Sequence, residues 1–244
     1  MNKKLLCLLM FVFSLGLTFT ACSSDDDDPV NLTLEKSETS VDQGATVTVK
    51  ITQGNGDYKV SSASETTATA SVSGDVITIT GVAAGETTIT VTDKDKKTAT
   101  LKVTVVGYAE QIATTYAGDL TLVNFMGQDI VLPNEIVLSK GDDNNLKLSI
   151  ETLTIPMGPD ASIGVTGIAV KSVPVTKSGD KYTLTETTEK VSVAIAGAEG
   201  DPMEVNVTVK GSLENGKLIL DIDVADVPAI GDLVVAFEGT KKAN

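Results

Sequence analysis

Alternation is the feature that most constrains this chain. TVTVKI (46–51) puts Val47, Val49 and Ile51 on one side of an extended backbone and Thr46, Thr48 and Lys50 on the other. The same two-residue period returns in ATASV (68–72), DVITITG (75–81), ETTITVTD (86–93) and TATLKVTV (98–105), and much later in EVNVTVKGSL (204–213) and KLILDIDV (217–224). A period of two is that of a strand with one buried face. No long stretch carries the 3.6-residue spacing of an amphipathic helix. Gly, Asp and Asn interrupt the runs at short intervals, as hairpins require. The expected fold class is all-β.

The strands fall into two blocks. In residues 30–106, NLTLEK and DYKVSS (57–62) join the runs above to give seven short strands, which fits an antiparallel sandwich. GDVITITGVAAGETTITVTD (74–93), where Gly81 and Gly85 bracket a turn, resembles the bacterial Ig-like group 2 domains. The resemblance implies an Ig-like sandwich used as a spacer or adhesion module. Tyr58 stands nearest to the place where that family often has a Trp. GYAEQIATT (107–115) reads as a linker with one helical turn.

Residues 116–242 read as eight further strands, at 118–125, 129–140, 145–155, 162–173, 181–187, 204–213, 217–224 and 232–241. GDDNN (141–145), SGD (178–180) and ENG (214–216) mark hairpins, and Asn215-Gly216 is the strongest such signal. Within IGVTGIAV the apolar phase slips at Gly167, as at a bulge. Eight strands in up-and-down order predict a closed barrel or a strongly curled sheet. YAGDLTL, NFMGQDIVLPNEIVLSK and VKGSLENGKLILDIDV resemble the calycin-like, lipocalin-like barrel domains of Bacteroidota lipoproteins. The lipocalin Gly-x-Trp and late Arg are absent, since the chain has neither residue type. The barrel shape carries over from the resemblance; a lipocalin ligand does not.

The N-terminus reads as an address. Lys3 and Lys4 precede the apolar run LLCLLMFVFSLGLTF (5–19), which suits a signal segment (1–21) and is short of the roughly 20 residues that span a bilayer. FTAC resembles the bacterial lipobox, which would make Cys22 the lipid anchor. Cys7 leaves with the leader. Residues 22–29 then form an acidic tether, with Asp25, Asp26, Asp27 and Asp28 in a row before Pro29. Acidic runs after a lipidated Cys resemble the export signal of Bacteroidota surface lipoproteins. The implied location is the outer membrane, lipid-anchored, facing the exterior.

Net charge is −14, with no His, Arg or Trp. That balance excludes a basic nucleic-acid footprint. Catalytic or metal-binding His and bidentate Arg clamps are excluded as well. The expectation is no enzyme activity, no cofactor and no metal site. Asp142, Asp143, Asn144 and Asn145 are oxygen-rich but lack EF-hand spacing. Asp93 and Asp95, among lysines, read as a solvated turn. Asp221 and Asp223 face solvent if Leu218, Leu220 and Ile222 fill the interior; paired inside a cavity, they would suit glycoside hydrolysis. Met126, Met157 and Met203 fall at strand ends of the second block. With Ile155 of IETLTIPMGPDASIGV (150–165), they mark a ligand entrance, or a plug at one end. The leading expectation is a non-enzymatic binding module whose barrel captures a small molecule or a surface partner, with the sandwich as spacer; the alternative is a structural or adhesive protein whose barrel is filled. Cavity volume separates them.

Overall fold

The computed structural model describes residues 30–158, 161–196, 201–227 and 231–243. They form two β units, each around its own hydrophobic cluster.

The first unit has strands β1 (Thr33–Leu34), β2 (Glu38–Asp42), β3 (Thr46–Gln53), β4 (Lys59–Ser62), β5 (Ala68–Ser73), β6 (Val76–Gly81), β7 (Gly85–Thr92) and β8 (Thr98–Val106). One sheet runs β1-β3-β6-β5, the other β2-β8-β7-β4. Val49, Ile77 and Ile79 from the first sheet, and Ile89, Val91, Leu101 and Val103 from the second, are wholly buried. This is the expected sandwich, with one addition. β2 was not legible, because ETSVD carries a single apolar residue, Val41. The strand owes its place to β8, which it joins in parallel with Val41 beside Val105. The sandwich is therefore not wholly antiparallel.

A short helix, α1 (Tyr108–Gln111), leads into the second unit. Its strands are β9 (Thr115–Phe125), β10 (Gln128–Lys140), β11 (Leu146–Gly158), β12 (Ala161–Val173), β13 (Val175–Ser178), β14 (Lys181–Ile195), β15 (Met203–Glu214), β16 (Lys217–Val227) and β17 (Gly231–Lys241). Sequence neighbours pair antiparallel, except that β12 and β13 both pair with β14, and β17 returns to β9 from Val234↔Val123 to Lys241↔Tyr116. The result is a closed antiparallel barrel of eight strands, as expected. β13 is a continuation of β12: Pro174 has no amide to donate and splits one long strand in two. The Asn215-Gly216 turn has the expected form, both residues at positive φ (52° and 77°) between the partners Glu214 and Lys217.

The slip at Gly167 is real, but it is not a one-strand bulge. Ile150 and Leu153 both point inward on β11, opposite Ile168 and Val165 on β12, so both strands change phase at one level. The β11–β12 ladder keeps its register across the change, from Ile150↔Ile168 to Thr152↔Thr166. Gly167 has φ +82°, and the Ser192 carbonyl oxygen lies 2.9 Å from where its Cβ would be. Only glycine fits both conditions. Beyond that point the β12–β14 ladder lapses, and the Glu189 carboxylate accepts the amides of Lys171 and Ser172, each at 2.8 Å.

Candidate functional site

The two ends of the barrel differ. At the base, where the chain enters from the sandwich, Ala109 and Ile112 are buried in the barrel's core cluster. Tyr116 is buried beside them and donates to the Ile112 carbonyl at 3.3 Å. Burial, with Tyr182 close by, pushes the Tyr116 phenol above its ordinary pKa. Tyr182 donates to the Gln111 side-chain oxygen at 2.9 Å, and Gln111 donates to the Val106 carbonyl at 2.9 Å. The Lys177 ammonium lies 4.7 Å from the centre of the Tyr182 ring. Residues 107–115, read as a linker, thus close the base. Their apolar residues are too few to show a period, so sequence reasoning missed this role.

The interior is packed. Leu120, Leu122, Ile136, Leu138, Leu146, Ile155 and Phe237 are fully buried. Among the described residues, a cavity of about 40 Å³ with an entirely apolar lining lies inside, bounded by residues that include Leu153, Ile155, Val165, Val205 and Leu233. Pockets for small molecules measure roughly 300–1,000 Å³. A void of this size holds about one water, and an apolar one offers that water no partner. Ile155 and Leu153 belong to the filling, so this part of IETLTIPMGPDASIGV is a plug.

The opposite end, the mouth, carries the other residues expected at an entrance. Met126 is at the tip of the β9–β10 hairpin and is 71% exposed. It lies between two open clefts of about 330 and 510 Å³, and Met157 lines both. Met203 stands on β15 and packs against the barrel core, away from those clefts. The structure therefore brings Met126 and Met157 together, leaves Met203 apart and buries Ile155. The clefts open on the outer surface of the wall: Val123 and Val234 are direct partners, Val131 is one row away, and all three are exposed. These valines were not expected as site residues, because on β9, β10 and β17 they occupy positions that alternation assigns to solvent.

The acidic candidates separate as well. Asp221 and Asp223 are exposed, while Leu218, Leu220 and Ile222 fill the interior. The turn Asp142–Asn145 is a hairpin at the base, with Asn145 donating to Ser172 Oγ at 2.8 Å. Among the described residues, no three Cys, Asp or Glu side chains converge as metal ligands would. Asp93 departs from expectation. It is only 4% exposed, and its carboxylate accepts the amides of Lys97, Asp95 and Asn55 and the Asn55 side chain. Burial opposes its ionisation, but these donors outweigh burial and hold its pKa below the ordinary carboxylate value. Cys22 and Asp25–Asp28 lie outside the described residues.

Family comparison agrees with this geometry. A model described as calycin-like β-barrel domain matches residues 112–240, more than half of the chain. The chain belongs to that family. A model described as bacterial Ig-like domain (group 2) matches residues 29–103. No curated protein matches the chain. The calycin-like match begins at Ile112, which with Ala109 brings the junction into the barrel core. Calycin-like and Ig-like units together fit a binding or structural module.

Proposed function

We propose that this protein is a lipid-anchored, outward-facing surface module that works through the exterior of a filled barrel, with the Ig-like sandwich as its spacer. The observation that carries the reading is the 40 Å³ interior, too small for any organic ligand. The barrel is then a rigid platform, and recognition belongs to its outer wall and rim. Anchoring rests on Cys22 behind an apolar leader and ahead of Asp25–Asp28. The module is read as a binding unit rather than a catalyst: the chain has no His or Arg, and among the described residues no three Cys, Asp or Glu side chains converge as metal ligands would.

Two measurements test the reading together. A neutral apolar dye such as N-phenyl-1-naphthylamine, titrated into residues 30–244, is expected to show no saturable binding. Saturable one-to-one binding would mean a container. In intact cells, alkyne-palmitate labelling is expected to tag the chain and to vanish in Cys22→Ala. External protease is expected to remove the tagged protein. A chain that is neither labelled nor cleaved would sink the surface-anchor part of the proposal.

A further inference from the structure

The mouth rim combines three features that the filled barrel leaves unexplained. The first is apolar exposure. Val123, Met126, Val131 and Val234 are adjoining exposed large hydrophobics on the same outer wall, next to the two clefts. Exposed apolar residues scattered singly need no explanation, but a contiguous patch beside clefts does.

The second is charge. Asp129 and Asp232 sit in this patch, and Asp226 and Glu204 follow around the rim, all exposed. The described residues that build this end, in 122–131, 154–158, 161–165, 191–196, 201–206, 224–227 and 231–236, include no lysine or arginine. Of the barrel's lysines, Lys140, Lys147, Lys181, Lys217 and Lys241 flank the turns of the base, Lys171 and Lys210 stand on the wall, and Lys190, opposite Asn206, comes nearest to the rim. Among the described residues, the patch is therefore apolar at its centre and edged by the carboxylates of Asp129, Glu204, Asp226 and Asp232.

The third is the tip itself. Met126 holds φ +53° beside Gly127 at φ +87°, in a two-residue hairpin between Phe125 and Gln128. Such turns favour Asn or Asp at the first position, because other side chains crowd the backbone there. A methionine here is disfavoured by the turn, and its side chain is given almost wholly to solvent. Methionine is an adaptable contact residue for a partner's apolar surface.

We propose that this rim is the docking face of the module, and that its partner is a basic amphipathic polypeptide segment. Apolar side chains of the segment occupy the clefts beside Met126, and its lysines or arginines meet the Asp129, Asp226 and Asp232 carboxylates. The same charges repel nucleic acid and anionic lipid. The mouth is also the end opposite the junction with the sandwich, so it points away from the chain's entry into the barrel. The proposal rests on the exterior-platform reading.

The test uses residues 30–244, which hold both hydrophobic clusters. The probe is a fluorescent 14-residue peptide of alternating Leu-Lys amphipathic design, followed by anisotropy at low and high salt. The expected result is saturable one-to-one binding that weakens about 5-fold or more at 0.5 M salt, as screening of exposed charges requires. Met126→Asn is expected to raise the melting temperature, since Asn suits the turn, and yet to weaken binding by about 10-fold, a loss in the range of apolar contact residues. Asp226→Asn with Glu204→Gln leaves intact Asp129 and Asp232, whose carboxylates accept the Asn124 and Asp226 amides, and is expected to weaken binding and reduce its salt dependence. The matched control, Glu65→Gln with Glu214→Gln, is expected to change neither. Equal binding by parent and rim variants, or none by the parent, overturns the proposal. So does concentration-dependent self-association that Met126→Asn abolishes, because a second copy would then be the occupant. Dye capture inside the barrel is read separately and would overturn the platform reading instead.

Discussion

At the scale of single residues, two side chains do work that composition disguises. Asp93 looked like one more acid in a Lys-rich turn. Its neighbours in sequence are charged, but its carboxylate is turned inward and gathers four N–H donors. Sequence shows charge, and only the fold shows which carboxylate faces in. Because the folded pKa of Asp93 is depressed, its stabilisation is fully present above the unfolded value near 3.9 and is lost as pH falls through the folded value. Asp93→Asn is therefore expected to lower the melting temperature of the sandwich at pH 6, and the gap to the parent is expected to close between pH 4 and pH 2. A constant gap over that range would show that the carboxylate's charge is not what the turn uses. Met126 shows the converse. Its position at a strand end was legible, but its left-handed backbone was not, since Met carries no turn signal of its own.

At the scale of elements, alternation located the barrel strands because one face of each is buried in a common core. β2 and β13 were missed for the same reason: each is short and carries too little apolar contrast to show a period. Val41 is the only inward residue of β2, and β13 depends on Pro174 to separate it from β12. The phase slip at Gly167 was visible in sequence, whereas its match on β11 was not, because the pairing of two strands is not written in either alone. The β12–β14 interface has the shortest backbone ladder among the described barrel pairs. Its backbone ladder is limited to Val165↔Ile195 and Thr166↔Ala194, with β13 below and Glu189 spanning the gap. Hydrogen bonds to a charged group contribute roughly 1.5–3 kcal/mol each when a partner is removed. Glu189 is partly exposed, so Glu189→Ala is expected near the low end, about 2 kcal/mol by urea unfolding, with Glu189→Gln intermediate. Faster amide exchange at Lys171 and Ser172 is expected in both. An unchanged exchange rate at these two amides would contradict the bracing role.

At the scale of the whole molecule, the chain is two independent cores joined by a segment that belongs to the second. The base of the barrel is closed by Ala109 and Ile112, the interior is filled, and the rim at the far end presents the apolar and acidic surface. Under the proposed function, this arrangement makes the barrel a platform rather than a container. The difference lies in side-chain volume. The inward positions are Leu, Ile, Val and Phe at nearly every level, and large residues leave a narrow barrel no room. Sequence reasoning reached the two alternatives, hollow or filled, but not the choice between them, because volume depends on how side chains from facing strands meet.

The most direct test of that choice is a native mass spectrum of residues 30–244 purified from the protein's own host, compared with the same sample after unfolding and refolding. A filled barrel predicts one mass, that of the polypeptide alone, before and after. An added small-molecule mass that is present before unfolding and absent afterwards would contradict it.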